Sequence, residues 1–276
     1  MKRLHAWLAL LAGMTLVLGS LAGLFMPVNA QETPPDAGGV GGYSLSASAA
    51  ASRQIFRPEN NIIPAENLLD LSIPYSVAQL SQGSGRALGS TVWPGDTVAT
   101  ACRAEPSIPC YPFYAESFYP QGPTDAKPAQ EIAGTTMTGH SEEKESVGRG
   151  EITPLGASGE QIGASTSSST ASIKTGLAVA ESVSRASDII LGAGAIRIES
   201  VVSTAKATSD GTAAEALGST KVEGFTIAGF PVAVTTEGVS IAGQANVPNP
   251  LGQVLDPVNA ALESLGAKIT LSNPIV

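Results

Sequence analysis

Histidine is almost missing from this chain. Two occur in 276 residues, and one of them, His5, lies in the leading apolar segment. Any Ser/His/Asp or Cys/His mechanism therefore has to use His140. That residue sits beside Ser141 and Glu142 in a charged stretch, and neighbours in sequence do not generally assemble a triad. GxSxG and HExxH patterns are absent, as are GxGxxG and Walker A. His140 is expected to be a solvated loop histidine, and no catalytic residue is assigned.

Basic residues are also few, at 15 against 24 acidic ones. Removing residues 1–30 would take Lys2 and Arg3 and no acid, leaving 13 against 24 and a net charge of −11. Nucleic-acid binding needs clustered Lys and Arg, and an anionic membrane surface asks for the same. Neither partner is expected; the charge reads as that of an acidic protein kept soluble. Glu142, Glu143 and Glu145 form the densest carboxylate group. They flank Lys144, so the segment reads as a charged turn and not as a glycosidase pair. No EF-hand or RTX-type loop offers a calcium site, and no cofactor or metal is expected.

Cysteine occurs twice, as Cys102 and Cys110. The spacing is not CxxC, which argues against a metal or redox pair. In an oxidising compartment it reads as a disulfide across a short loop already stiffened by Pro106 and Pro109. Aromatics make up only 5% of the chain, while Ala, Ser, Gly and Thr abound. Such a composition builds closely packed sheets and poor hydrophobic pockets.

What is present begins with an export signal. Lys2 and Arg3 precede an apolar run from Ala6 to about Phe25, and Val28-Asn29-Ala30 places small residues at a cleavage site. Residues 1–30 are therefore expected to be a signal peptide, directing the protein to a secreted, extracytoplasmic location. A retained membrane anchor is the competing reading, since spanning needs ~20 apolar residues. No later segment is expected to span a membrane, and no C-terminal sorting motif or lipoprotein cysteine is evident.

Residues 31–41 read as a disordered, proline- and glycine-rich linker. Residues 42–276 are expected to form a single β-rich domain. Within it, 42–120 reads as an irregular N-terminal part with the disulfide loop, because Pro58, Pro64 and Pro74 punctuate its apolar runs. Tyr43–Ala50 alternates as a strand, Tyr75–Leu80 reads as a short helical or extended turn, and Trp93-Pro94-Gly95-Asp96 as a turn. Tyr111, Phe113, Tyr114, Phe118 and Tyr119 supply five of the eleven aromatics beyond residue 30. They are either a recognition loop or rings covering the end of a thinly furnished sheet, and the second reading is preferred.

Regular strands are expected over 133–245. The segment 141–150 reads as charged and solvated. The tract 165–172 (STSSSTAS) reads as a polar strand, a flexible tract or a glycosylated one. Leu177, Val179 and Val183 alternate against Ala178, Ala180, Ser182 and Ser184. Ile196, Ile198 and Val202 alternate against Arg197 and Glu199, and Ser209-Asp210-Gly211 is a hairpin turn. A third strand runs from about Ala213 to Ile227, with a β-bulge expected at Gly224, followed by two short closing strands. The spacing indicates an antiparallel meander, not βαβ units.

Near the end, Leu251, Val254, Leu255, Val258, Ala261, Leu262 and Leu265 make one apolar helical stripe. Asn249-Pro250 starts this helix (249–266) and Gly266 stops it; Ile269 and Leu271 fall in a closing strand, 267–272. The fold class expected is mainly β, an antiparallel meander or sandwich-like arrangement with this amphipathic helix packed on the sheet.

The order YSLSASA, WPGD, CYPFY…FYP, AIRIESVVSTAKATSDG and GSTKVEGFTIAGFPVAVTTEGVSIAG, ending in that helix and strand, resembles a group of secreted β-rich proteins of high-GC Gram-positive bacteria, similar to the choice-of-anchor type. The resemblance covers roughly residues 42–272. It implies a β-rich envelope or secreted domain and supplies no catalytic residues. The function expected is a secreted or cell-envelope-associated, non-catalytic protein of structural or adhesive type. Its partner would be a cell-wall polymer or another envelope protein. The alternative is an extracytoplasmic module binding a lipid or glycan in a groove between the sheet and the C-terminal helix.

Overall fold

The computed structural model of the chain describes residues 41–56, 69–99, 101–153, 162–191, 194–227, 229–235 and 238–241. The expected signal peptide (1–30), most of the linker (31–41), the helix (249–266) and the closing strand (267–272) lie outside the described residues.

Two antiparallel sheets are built almost entirely from consecutive strands. Sheet A runs β1 (Ser44–Phe56), β2 (Leu69–Ser81), β3 (Ser84–Ser90), β4 (Tyr114–Tyr119) in that order. Two helical turns, α1 (Asp96–Ala99) and α2 (Ala101–Ala104), lie between β3 and β4. Sheet B holds β5 (Asp125–Ala126), β6 (Thr135–Ser141), β7 (Glu145–Ile152), β8 (Ser165–Lys174), β9 (Leu177–Leu191) and β10 (Ile196–Ser209) as sequential neighbours. Beyond β10, β11 (Ala214–Glu223) and β12 (Thr226–Ile227) pair with successive stretches of its far edge. β13 (Phe230–Thr235) and β14 (Gly238–Ile241) continue from β12. The expected meander is present in both sheets, and sheet A packs face to face on β6–β9 of sheet B.

The chemistry of that interface is unusual for a sandwich. Side chains facing it are small: Ala47, Ala49, Ser76, Ala78, Ala87, Ser117, Ser141, Ser146, Ser167, Ser169 and Ala171 are all buried. Glycines complete the rows. A Cβ placed on Gly89 (β3) would lie 1.9 Å from the Arg149 carbonyl oxygen of β7. The Gly89 Cα is thus at most about 3.4 Å from that oxygen, the range of a Cα–H···O contact. Gly148 would meet Leu88 O at 2.2 Å and Val77 O at 2.4 Å, and Gly150 would meet Ser90 O at 2.3 Å. The sheets therefore touch through their backbones, closer than the ~10 Å at which ordinary side chains hold sheets apart. Serines bridge the layers where they meet: Ser76 and Ser169 Oγ are 2.8 Å apart, and so are Ser117 and Ser141 Oγ. Larger apolar groups sit at the margins, with Leu80, Leu45 and Tyr43 at one end and Met137, Ala126 and Phe113 at one side.

Several sequence expectations need correction. The described residues of 42–120 are not irregular; they supply the whole of sheet A. Pro74 is tolerated inside β2 because β3 ends at Ser90, opposite Tyr75, and the β1 ladder steps from Ala50–Tyr75 to Ser52–Ile73 across it. Tyr75–Leu80 is extended, within β2. Residues 145–152 form β7, burying Ser146, Gly148 and Gly150; only Glu142–Lys144 make the exposed turn. Without a bulky residue, that alternation carries no hydropathy signal. The tract 165–172 belongs to the strand β8, with Ser165, Ser167 and Ser169 buried. Its turn into β9, Thr175-Gly176, has positive φ at both residues (52° and 77°), the pattern of a type I′ hairpin.

Gly224 does interrupt the third strand, with φ 61°. Yet Glu223 pairs with Ser200 and Thr226 with Arg197. No residue is inserted, so the break is not a bulge. Phe225, Ile227, Ile196 and Val232 gather beside it in a separate small core.

Candidate functional site

The outer face of sheet A carries the densest chemistry. Val77 and Leu88 pair directly across β2 and β3 and are buried there under Trp93 and Ala99. The chain reaches this position through the WPGD turn. Trp93 exchanges two backbone hydrogen bonds with Ser72 (2.8 and 3.0 Å), which fixes it over the end of β2. Gly95, at φ 94°, reverses the chain into α1, and Ala99 N–H donates to its carbonyl at 3.0 Å. Cys102, within α2, is joined to Cys110 beyond it, their Cα atoms 4.9 Å apart. The exposed loop between them returns the chain to Tyr111.

Trp93 is the hub of the rings that follow. It stacks on Tyr75 (centroids 6.0 Å, planes 15° apart) and meets Tyr111 and Tyr114 edge-on at 6.4 and 5.6 Å. Tyr111 lies stacked on Tyr114 at 6.3 Å and edge-on to Phe113 at 5.4 Å. Pairs of this kind add about 0.5–1.5 kcal/mol beyond the area they bury. The Tyr111 hydroxyl donates a short hydrogen bond to Val92 O. Burial pushes its pKa up to about 12. The Tyr75 phenol is raised as well, first by burial and then by the Asp96 carboxylate.

An ionic clamp ties α1 to the sheet. Arg86 on β3 donates through Nε to Glu116 Oε1 of β4 at 2.7 Å and through Nη2 to Asp96 Oδ1 at 2.8 Å. The Glu116 side chain is 3% exposed, that of Asp96 67%. Burial alone would lower the Arg86 pKa, but hydrogen bonds to Asp96 and Glu116 raise it. The buried half of the clamp carries the energy, since exposed pairs contribute only ~0–1 kcal/mol.

The five aromatics of 111–119 thus divide. Tyr111, Phe113 and Tyr114 join Trp93 over the sheet, and Phe113 also packs against Ala115, Ala126 and Met137. Phe118 and Tyr119 stand at the far end of β4, opposite Arg86 and Gly85. There they border an open groove of about 350 Å³ whose walls include Ser44, Ser46, Gln79 and Arg86. Trp93 and Tyr75 escaped the sequence reading, which took their segments as turns. Their only signal is that rings are scarce and few other partners exist for the aromatic loop. Trp93 is buried, so its face is not a platform for a ligand. The groove instead presents hydroxyls, an amide and a guanidinium beside two rings, a surface able to hydrogen-bond a polar polymer.

His140 lies elsewhere, half-exposed on β6. Its Nδ1 is 2.8 Å from Asp125 Oδ1 and its Nε2 3.5 Å from Glu142 Oε1, both exposed carboxylates. The Ser141 hydroxyl points to the opposite face, into the sheet interface, where it bonds Ser117. The alternation of β6 therefore separates this imidazole from its neighbouring hydroxyl. Among the described residues, no three His, Cys, Asp or Glu gather closely enough to hold a metal ion, and no helix is long and apolar enough to cross a membrane. No protein-family model, curated protein or solved structure matches this chain.

Proposed function

We propose that this chain is an exported, cell-envelope-associated protein of structural or adhesive type, without catalytic activity, akin to the choice-of-anchor-type secreted proteins. One observation carries the reading: the sheets meet backbone to backbone, so the sandwich interior offers rigidity and no chamber for a reacting group. The signal-like start, the acidic charge and the Cys102–Cys110 disulfide support export. The serine-lined groove beside Phe118 and Tyr119 supports adhesion to a cell-wall polymer or an envelope protein.

A binding module is the second reading, and the same groove favours it. Its hydroxyl-, amide- and guanidinium-bearing walls suit a glycan and not a lipid. The sheet–helix groove expected from residues 251–265 lies outside the described residues.

Two measurements test the proposal. Cell fractionation with N-terminal sequencing is expected to find the protein outside the cytoplasm, beginning at Gln31. The purified protein is expected to cosediment with isolated cell walls or with an envelope protein, and to lose that in Phe118→Ala combined with Gln79→Ala. A cytoplasmic protein retaining Met1, or a measured hydrolase activity lost in His140→Ala, would overturn it.

A further inference from the structure

Sheet B is wider than sheet A where β1 ends. β1 packs over β8 and β9, yet sheet B continues past β9 with β10 and then β11. Two strands overhang, and their inner face prolongs the rows of the closed interface in register. Ser184 leads to Ser203 and Thr220, Ser182 to Ala205 and Gly218, Ala180 to Ala207 and Ala216. Ala216 and Gly218 are exposed. Over the paired stretch, Ser200–Ser209 against Ala214–Glu223, no charged residue falls on this inner face, and Arg197 and Glu199 follow on it only beyond that stretch; Glu181, Lys206, Glu215 and Lys221 all stand on the other. At the step, Leu45 of β1 and Ala178, Ala207 and Ala216 border an open groove of about 210 Å³. Among the described residues, β1 and β11 are both edge strands, each with one unpaired ladder.

We infer that the chain forms a two-fold dimer in which the β10–β11 overhang of each copy packs face to face on that of the other. A rotation of 180° about an axis along the strands places the partner's β11 over β10 and the partner's β10 over β11. Each overhang then fills the step left by the other, and β11 of one copy lies beside β1 of its partner. The directions agree. β9, β10 and β11 alternate, and the start of β1 lies beside the starts of β9 and β11, so β1 and β11 run the same way and the rotation keeps them parallel.

The facing side chains are Ala, Gly, Ser and Thr, with Val201 and Val222 at one end, mostly the types that already bring sheets A and B into contact within one chain. The arrangement is isologous and closes, as most soluble homodimers do, and it covers two strand edges that would otherwise invite open-ended pairing. Ten paired positions at ~3.4 Å per residue and two strands ~4.8 Å apart give each copy a shelf of roughly 330 Å² in plan. With both shelves and the abutting edges, the contact reaches the order of the ~1,000 Å² that a specific interface needs. Pairing β1 with the partner's β1 does not fit, because each β1 already carries its own β9. The dimer does not depend on the envelope reading.

Sedimentation velocity on the processed chain tests it, with two adjacent variants of β11. Ala216→Arg puts a charge on the inner face; Leu217→Arg puts the same charge on the outer face, where Leu217 is 58% exposed. Both positions are exposed in the single chain, so both variants are expected to fold. The unmodified protein is expected to sediment as a dimer at tens of micromolar. Ala216→Arg should weaken that dimer at least tenfold and Leu217→Arg should leave it intact. A monomeric unmodified protein, an Ala216→Arg dimer of unchanged affinity, or equal loss in both variants overturns the inference. A monomer in which Ala216→Arg makes residues 242–276 more accessible to protease would place the chain's own C-terminal segment on the shelf instead.

Discussion

Gly148 shows most directly how single positions set this fold. Its missing side chain is flanked by two carbonyl oxygens of the opposite sheet, those of Leu88 and Val77, and neither can withdraw without moving β2 or β3. Overpacking that shifts backbone costs roughly 1–3 kcal/mol, occasionally more, and here only backbone can give. Gly148→Ala is therefore expected to lower the urea-unfolding free energy by about 3 kcal/mol, whereas Gly41→Ala, where an added Cβ meets nothing within 4 Å, should cost far less. Positions of this kind are hard to read from sequence. A glycine in a strand signals a close approach in general terms, but Gly148 lies in a run that its Glu and Lys neighbours mark as a solvated turn. The disulfide was legible because cysteine has few uses at this spacing. The Arg86–Glu116–Asp96 clamp was not, since its members are 30 and 10 positions from Arg86 and no local pattern joins them.

Strands with bulky residues on one face announced themselves; those without did not. β9 and β10 carry Val and Ile in alternation and were read correctly, as was the Asp210 turn between β10 and β11. There the Asp210 carboxylate accepts from Thr212 N–H and Ala213 N–H (2.8 and 2.7 Å), bonds that hold its pKa down to about 2. β2 and β7 hid behind a proline and a cluster of charges. The aromatic cover over sheet A yields a test of its own. Burial in the folded protein pushes the Tyr111 phenol up to about 12, from an ordinary value of 10.0. Its contribution to stability is therefore whole below pH 10 and is lost as pH rises from 10 towards 12. Tyrosinate absorbance should show delayed ionisation of this phenol, and the urea midpoint should fall over the same interval. Normal ionisation together with a flat midpoint would remove Tyr111 from the folded cover.

At the scale of the whole molecule, the sequence indicated a mainly β meander, and that is what the two sheets are. A sandwich-like arrangement was expected too, but not which strands face each other: sheet A lies on β6–β9, and partners such as Ser76 and Ser169 are 93 positions apart. Serine, alanine and glycine carry little hydropathy contrast, so the periodicity that reveals a buried face was faint on the faces that are buried. The composition carried the remaining clue: few rings and many small side chains imply layers held close, and the contacts at Gly89, Gly148 and Gly150 bear this out.

Closely apposed backbones leave little empty space to be released when the chain opens. Pressure unfolds proteins by eliminating such voids, with volume changes of roughly −20 to −100 mL/mol. This protein should fall at the shallow end of that range, tolerating hydrostatic compression better than a leucine-filled sandwich of equal length. Fluorescence of Trp93 under rising pressure would report it.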